Sequence, residues 1–202
     1  MRKKSHICLG RYLAENASAR ELRSHKKAFL LGSILPDIRP SFVTKKHEYN
    51  GTYEEVQESI RRLTTDCNLL LRNRRVYCRR MGEVIHYVAD YFTFPHNSCY
   101  PGSLKDHCRY ENDLKHYMRD YIYSGEAERN QNVYYQFYTV EELFAYIEAC
   151  HEEYMEDVHS VEQDALYITR VCSQVVSGIY QLLHQKEEAA RQAGREAAYW
   201  AA

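Results

Sequence analysis

The stretch GEVIHYVADYFTFPH, from Gly82 to His96, and the shorter DHCRYE, from Asp106 to Glu111, constrain how the rest of this chain folds. Three histidines and two acidic residues in these stretches are candidate metal ligands: His86, Asp90, His96, His107 and Glu111. The first two lie four positions apart, and so do the last two, so each pair shares one face of a helix. The middle histidine follows a proline, where a helix does not continue unbroken. The pattern predicts a metal site built from two helices and the turn between them.

Spacing alone is a weak signal in this chain. With ten histidines and 28 acidic residues in 202 positions, chance gives about 1.4 pairs of a histidine and an acid four residues later. Four such pairs occur, beginning at His86, His107, His116 and His184. The pair at His184 lies in a polar tail. The pair at His116 points away from the pair at His107, because nine residues along a helix leave the two pairs about half a turn apart around its axis. Only the first lies in a largely apolar helix, where Asp90 needs a partner to be buried. Alone, its histidine is more often a hydrogen-bonded core residue, but the cluster favours a metal ligand.

The composition favours an all-α domain. The chain is 45% hydrophobic and 27% charged, with only eight glycines and four prolines. No segment alternates apolar and polar residues over a useful length, whereas several repeat apolar residues at helical spacing. We predict one all-α domain of six or seven helices over residues 1–185, with the metal site in a cleft between helices. Residues 186–202 are predicted to form a polar helical tail.

Local signals place two further candidate ligands near the start of the chain. Ser5 is a candidate cap for a helix that begins at His6, and a second helix is predicted for Ala19–Ile34. A proline follows that helix, so Asp37 is expected at the tip of a turn and His47 in the loop beyond it. A third helix is predicted over Tyr53–Asn73, and a fourth carries His86 and Asp90 and ends near Phe94. Further helices are predicted over Leu104–Ile122, over Thr139–Asp157 with a capping box at its start, and from Ser160 onward.

The net charge of −1 is unevenly distributed. Residues 1–80 carry a net charge of +10 and the remainder −11. This asymmetry is compatible with a basic surface for phosphate-bearing substrates, anionic lipid or nucleic acid, without being diagnostic of any of them. The interpretation favoured by base rates is that the two halves pair with each other across the fold.

The cysteines and the N-terminal segment suggest an intracellular protein. Seven cysteines, an odd number, occur without a CxxC spacing, which is typical of a reduced protein. The N-terminal segment MRKKSHICLGRYLAENA has basic residues but no apolar core of a signal peptide, and no segment is long enough to span a membrane. We therefore expect a cytoplasmic location.

The ligand types indicate the chemistry. Imidazole and carboxylate groups without a thiolate cluster are the ligand set of catalytic rather than structural zinc sites. Two or three zinc ions can activate water and stabilise the oxygens of a phosphodiester, and a carboxylate commonly bridges two ions in such a cluster.

Several segments together resemble the bacterial zinc-dependent phospholipase C family, whose wider superfamily includes fungal single-strand nucleases. The similarity rests on HYVADYFTFPH at 86–96, HCRYE at 107–111, GSILPDI at 32–38 and His6 at the start of the first helix. It covers the first 111 residues in order.

The resemblance implies a tri-zinc site in a cleft between helices. It implies two ligand groups, each holding one zinc ion: Asp37, His47, His86 and Asp90, and His96, His107 and Glu111. His6 would take part in a third site, with Asp90 bridging, and Asp37 is implied as the general base. Secreted members begin with a tryptophan that helps hold the third ion, whereas this chain begins with Met1. We therefore expect two zinc ions, and a third is left open.

Three functions are compatible with these observations. The first is a phospholipase C-like hydrolase of phosphoric esters, with phospholipids among the candidate substrates. The second is a zinc phosphodiesterase or nuclease for soluble or nucleic-acid substrates, with nucleic acid not favoured. The third is a non-enzymatic all-α interaction protein whose histidines and tyrosines fill a core. The aromatic segment of Tyr134, Tyr135, Phe137 and Tyr138 is expected to pack against the last helices, although insertion at a lipid surface is the alternative.

Overall fold

The computed structural model describes residues 1–17, 19–39, 47–66, 73–131 and 133–200, with side chains up to residue 195. Nine α-helices lie in these segments: α1 Lys3–Asn16, α2 Arg20–Ser24, α3 Lys26–Gly32, α4 Tyr49–Thr65, α5 Arg74–Tyr91, α6 Leu104–Tyr123, α7 Glu126–Arg129, α8 Val140–Glu156 and α9 Val161–Trp200. A 3₁₀ turn, Phe94–His96, joins α5 to the segment before α6. The described residues contain no β-strand. The predicted all-α class is confirmed, and the helices are slightly more numerous than expected.

The additional helices are short, and one arises from a break in a predicted helix. The single helix predicted for Ala19–Ile34 is wrong, because His25 leaves helical geometry at φ −114° and ψ 26° and separates α2 from α3. The predicted cap at Ser5 is also wrong. Its amide donates to the carbonyl of Arg2, so α1 begins earlier and the Ser5 side chain is buried within it. The end of the helix predicted for Tyr53–Asn73, with Cys67, lies partly outside the described residues.

Side-chain caps fix where the site-bearing helices begin. Asn73 accepts a hydrogen bond from the amide of Val76 at the start of α5. Ser103 and Asp106 form a reciprocal capping box at the start of α6, which satisfies amides that have no partner within a helix. The capping box predicted at the start of α8 is present as well. These caps set the register in which the ligands of α5 and α6 project.

Helix α5 lies at the centre of the molecule and packs against α3, α4 and α9. Its buried side chains include Tyr77, Met81, Ile85 and Val88, each 1% exposed or less. A helix buried on most sides is apolar over most of its surface. His86 and Asp90, both 0% exposed, are therefore polar exceptions within the core.

Helices α3 and α5 approach each other closely at two glycines, each of which faces the backbone of the other helix. A Cβ atom at Gly82 would lie 2.2 Å from the carbonyl oxygen of Phe29, and one at Gly32 would lie 1.9 Å from that of Arg79. Any side chain at either position would force the helices apart. The absence of side chains here brings the C-terminal end of α3, with Ser33, against α5.

The aromatic segment before α8 is extended, and side chains of α9 hold its backbone. Gln174 bonds the carbonyl of Val133 and the amide of Tyr135, and Gln181 bonds the carbonyl of Tyr135 and the amide of Phe137. The expected packing is only partly found. Phe137 is buried at 3% exposure, whereas Tyr134 and Tyr138 are 84% and 71% exposed.

The last helix, α9, continues without a break through the predicted tail, where residues 188–195 are exposed. Across the described segments, no helix has the length and apolar character needed to cross a bilayer. The six cysteines in the described segments are all free thiols, and the seventh, Cys67, lies outside those segments.

Candidate metal centre

All eight predicted site residues converge at one end of the helical core. The side chains come from six places in the fold: His6 from α1, Asp37 from the turn after α3, His47 from just before α4, His86 and Asp90 from α5, His96 from the 3₁₀ turn, and His107 and Glu111 from α6. They form three groups, within each of which the potential ligand atoms lie within 4.8 Å of one another: His6, Asp37 and His86; His47, His86 and Asp90; and His96, His107 and Glu111. The first two groups share His86.

The innermost group is a compact triangle of donor atoms. His47 Nδ1 lies 3.1 Å from Asp90 Oδ2 and 3.0 Å from His86 Nε2, and His86 Nε2 lies 3.2 Å from the same carboxylate oxygen. Asp37 Oδ1 is 3.7 Å from His86 Nε2 and 4.0 Å from His47 Nδ1. These side chains are 0–10% exposed, so the group is almost entirely shielded from solvent.

The protonation of His86 follows from its second ring nitrogen. Nδ1 lies 2.9 Å from the carbonyl oxygen of Ser33, which can only accept a hydrogen bond. Nδ1 therefore carries a proton, and Nε2 faces Asp90 and His47. A carbonyl acceptor behind a histidine is the usual outer partner of a metal-binding imidazole, because it fixes the tautomer and the ring orientation.

His6 is a buried ring without conventional partners. It is 1% exposed, and within the described residues neither ring nitrogen forms a hydrogen bond. Nε2 lies 3.3 Å from Asp90 Oδ1, and the ring stacks on His86 with centroids 4.0 Å apart. Burying an unsatisfied polar group costs about 1–3 kcal/mol, so this position favours a ligand that accepts the nitrogen lone pair.

The second group lies closer to the surface. Glu111 Oε1 is 3.2 Å from His96 Nε2 and 3.3 Å from His107 Nε2. The side chain of His107 is 28% exposed, against 14% for each of the other two. The centre therefore opens towards solvent on the side of α6.

The α-amino group of Met1, which the sequence did not single out, joins the two groups. Its nitrogen lies 2.8 Å from Asp90 Oδ1, 2.6 Å from His96 Nε2 and 3.0 Å from Glu111 Oε1. The two carboxylate oxygens are consequently within about 6 Å of each other, close enough for a single cluster of ions with ligand bonds near 2 Å. No spacing rule predicts this contact, because a terminal amine has no side-chain signature.

Asp90 lies between the groups and uses its two oxygens differently. Oδ1 faces the Met1 amine and His6, whereas Oδ2 faces His47 and His86. Opposed donor sets on one carboxylate are the arrangement needed for a group that bridges two ions.

The donor spacing fits zinc. Two ligand atoms about 2.0–2.1 Å from a tetrahedral zinc ion lie about 3.3 Å apart. The separations of 3.0–3.3 Å among His47, His86 and Asp90, and of 3.2–3.3 Å from Glu111 to its two histidines, are close to that value. The ring nitrogens of His6, which form no hydrogen bond among the described residues, also favour a cation here.

The surroundings lower the pKa of two histidines, His6 and His96, and of two carboxylates, Asp90 and Glu111. Burial lowers the pKa of His6 to about 3, and burial followed by the Met1 amine lowers the pKa of His96. Burial opposes the charge on Asp90, but the Met1 amine, His96 and His86 outweigh it and hold that pKa well below its usual range. Burial alone dominates at Asp37, whose pKa is raised. Neutral imidazoles and ionised carboxylates are the forms that bind metal.

A hydrogen-bonded cradle holds the turn that carries His96. Asp164 on α9 accepts hydrogen bonds from the amide of Phe94 at 3.0 Å and from the hydroxyl of Tyr154 at 2.7 Å. Asn97 donates to the carbonyls of Tyr91 and Thr93. The sequence offered no signal for this cradle, because its members are up to 73 positions apart and share no spacing.

Comparison with known proteins assigns the chain to a family. A family model described as zinc dependent phospholipase C matches residues 5–161. The chain belongs to the zinc-dependent phospholipase C family. No curated protein and no solved structure gives a significant match.

The match to the zinc-dependent phospholipase C family extends beyond the first 111 residues on which the sequence resemblance rested. It continues through α6 and α8 to the first residue of α9. All but one of the groups that meet at the centre, the Met1 amine being the exception, lie within the matched region.

Proposed function

We propose that this protein is a zinc-dependent hydrolase of phosphoric esters whose active site is the described cluster of histidines and carboxylates. The observation that carries the proposal is the spacing of 3.0–3.3 Å among the potential ligand atoms of two separate groups, which the Met1 amine links through Asp90 and Glu111. In each group, ring nitrogens and carboxylate oxygens from different parts of the chain lie within 4.8 Å of one another, as the ligands of one ion do.

Each ligand group would hold one zinc ion. The inner ion would be held by Asp37, His47, His86 and Asp90, and the outer ion by His96, His107 and Glu111. A third site would combine His6 with Asp90 Oδ1. The same oxygen also contacts the Met1 amine. The number of ions bound is an outcome of the experiment below.

Bound zinc ions supply two things to phosphoester hydrolysis: acidification of water and stabilisation of charge on phosphoryl oxygens. The residues of the chain supply the rest. Asp37 is the proposed general base, since its carboxyl lies at the edge of the inner group, is 10% exposed and has a pKa raised by burial. A carboxylate in this position can take a proton from the attacking water.

The side of α6 is the proposed route for substrate. His107 is the most exposed ligand, and Glu111 lies one turn beyond it on the same helix face. A phosphate group entering here meets the outer group first and the buried inner group behind it. Its ester substituents remain towards solvent, which leaves both lipid and soluble phosphodiesters as candidates.

The test combines metal analysis with substrate profiling. Zinc per chain would be measured by mass spectrometry, and hydrolysis would be followed with phosphatidylcholine vesicles, p-nitrophenyl phosphorylcholine and a single-stranded oligonucleotide. We expect His86→Ala and Glu111→Ala each to lower the zinc content and to lower kcat/KM by about a hundredfold or more, beyond the 10- to 100-fold typical of changes to outer partners. The preferred substrate identifies the ester class.

A matched control is His184→Ala, which removes another histidine followed by an acid four residues later, in this case at 57% exposure. It should leave zinc content and turnover unchanged. Two outcomes would contradict the proposal. In the first, the protein contains no zinc after purification and takes up none when zinc is added. In the second, it binds zinc, but hydrolysis of each of the three substrates is absent or is unchanged by His86→Ala.

A further inference from the structure

A long basic groove runs along the outer side of α1, away from the metal ligands. Its main part has a volume of about 1390 Å³ and lies between α1, α2 with α3, and the end of α6. Five cationic side chains line it: Arg11, Arg23, Lys26, Lys27 and Arg75. Among its described lining residues, only Glu15 and Glu128 are acidic.

A smaller depression of about 410 Å³ extends the groove along the seam of α1 and α6. It shares Cys8, Arg11 and Tyr123 with the main part. Three more cations line it: Lys4, Lys115 and Arg119. From residue 4 to residue 16, α1 rises about 18 Å along the groove.

Most of this charge is not neutralised locally. Lys26 pairs with Glu15, and Arg119 pairs with the adjacent Asp120. In the described segments, Arg11, Arg23, Lys27 and Arg75 form no salt bridge with a carboxylate, and all four are exposed. The expectation that the basic first half pairs with the acidic second half is therefore not met at this face. Only three described salt bridges join an arginine or lysine of residues 1–80 to a later carboxylate.

The shape of the groove and its exposed aromatic side chain indicate which kind of anionic partner fits it. Tyr123 lines both parts and is 70% exposed, and Leu31 on the opposite wall is 47% exposed. Cations on two walls of a concave groove cannot all reach a flat bilayer, but they can follow a linear polyanion. A basic groove with an exposed aromatic platform is the arrangement that binds single strands, with bases stacked on the ring and phosphates along the cations.

We propose that the groove of α1 binds single-stranded nucleic acid through its phosphates, with Tyr123 stacking on a base. The groove follows about 18 Å of α1, which leaves room for several successive phosphates of one strand. This inference does not depend on the reaction at the metal centre, and it concerns binding rather than cleavage.

The test measures the fluorescence anisotropy of a labelled oligothymidylate with the full chain as the salt concentration is varied. The groove variant is Arg11→Glu, Arg23→Glu and Lys27→Glu, and the control is Arg62→Glu, Arg80→Glu and Arg191→Glu. The control sites are exposed cations outside the groove, so the net charge changes equally. We expect the groove variant to bind at least about tenfold more weakly and the control less than about twofold. The slope of log K against log salt should shrink by about 0.7 for each phosphate that the groove variant no longer neutralises.

A second variant separates nucleic acid from other polyanions. Tyr123→Ala should weaken oligothymidylate binding by about fivefold or more, the lower limit of stacking on an aromatic ring, while leaving an abasic strand of the same length bound as before. Absence of binding by the wild type at low salt, or equal losses in the groove variant and the control, would overturn the proposal. It is also overturned if binding to anionic phospholipid vesicles depends on the groove cations and binding of the oligonucleotide does not.

Discussion

The ring nitrogen Nδ1 of His86 lies 2.9 Å from the backbone carbonyl oxygen of Ser33. The two residues belong to different helical segments, and the contact exists because α3 and α5 approach without side chains between them. It orients the imidazole so that its other nitrogen faces Asp90 and His47. A packing feature of the core thus sets the geometry of the inner ligand group.

The close approach of α3 and α5 predicts a specific response to Gly82→Ala. The added Cβ would meet the Phe29 carbonyl at 2.2 Å and the Ser33 amide at 2.8 Å, so one helix must move. We expect a loss of stability of about 1–3 kcal/mol, as in other overpacked cores, together with weaker zinc binding, because the Ser33 carbonyl moves away from His86. Urea unfolding and competition with a zinc indicator would measure both effects.

The control for this substitution is Gly194→Ala. No atom lies within 4 Å of a Cβ at that position, which is exposed on α9. Replacing a helical glycine there should be neutral or stabilising, by up to about 1 kcal/mol. Equal effects at the two glycines, or unchanged zinc affinity in a destabilised Gly82→Ala protein, would contradict the proposed link between packing and the metal centre.

Removal of metal should destabilise the protein. Asp90 and His86 are 0% exposed, and burial of charged groups is costly unless interactions with their partners offset the lost hydration. A ligand that binds only the folded state at a concentration of 100 Kd stabilises it by about 2.7 kcal/mol. We therefore expect a chelator to lower Tm by several degrees and added zinc to restore it. Calorimetry with and without chelator would measure the shift.

Asp90→Asn provides the comparison for this measurement. It keeps the shape of the side chain but removes the charge shared by both faces of the cluster. We expect Tm of this variant to respond much less to chelator or zinc. A chelator effect as large as that of the wild type would show that the metal stabilises the fold from somewhere other than the described cluster.

Asp164 predicts a pH dependence of stability that is separable from the metal ligands. Burial raises the pKa of Asp164 to about 7 from 3.8, despite hydrogen bonds from Phe94 and Tyr154. A pKa raised on folding means that its stabilising contribution is complete below about pH 4 and is lost as the pH rises to about 7. The loss amounts to up to about 4 kcal/mol for a shift of this size.

Substituting Asp164→Asn removes this titration. The amide oxygen can still accept from the Phe94 amide, so the cradle around the 3₁₀ turn is largely kept. From pH 4 to pH 7 we expect the free energy of unfolding of the wild type to fall relative to that of the variant. Urea unfolding at several pH values, repeated in chelator, isolates the carboxyl from the histidines. Parallel profiles for the two proteins would show that Asp164 does not titrate in this range.

The sequence alone was sufficient for the helical class, and it named the eight side chains that lie together in the structure. Glycines and prolines are few, and apolar residues recur at helical spacing, which local physics converts into helices. His86 and Asp90 share a face because an α-helix repeats about every 3.6 residues. The capping box before α8 was likewise readable, since a cap depends only on neighbouring residues.

Spacing by itself could not separate the candidate ligand pairs from other pairs of the same spacing. The pair at His184 has the same spacing as the pair at His86, yet the first is on an exposed tail and the second is buried in the core. Order along the chain and resemblance to a family made the distinction before the structure did. Short breaks such as that at His25 were missed because they follow from tertiary packing rather than from a strong local signal.

The sequence by itself determined which elements form and which side chains are able to bind metal, because helix periodicity, capping and ligand chemistry are local properties. Only the tertiary structure decided that the Met1 amine lies between Asp90 and Glu111, and that Ser33 supports His86. It also decided that the cations of α1 line a groove instead of pairing with the acidic half. These relationships join residues far apart in the chain, and they depend on how closely helices pack, which residue order does not encode locally.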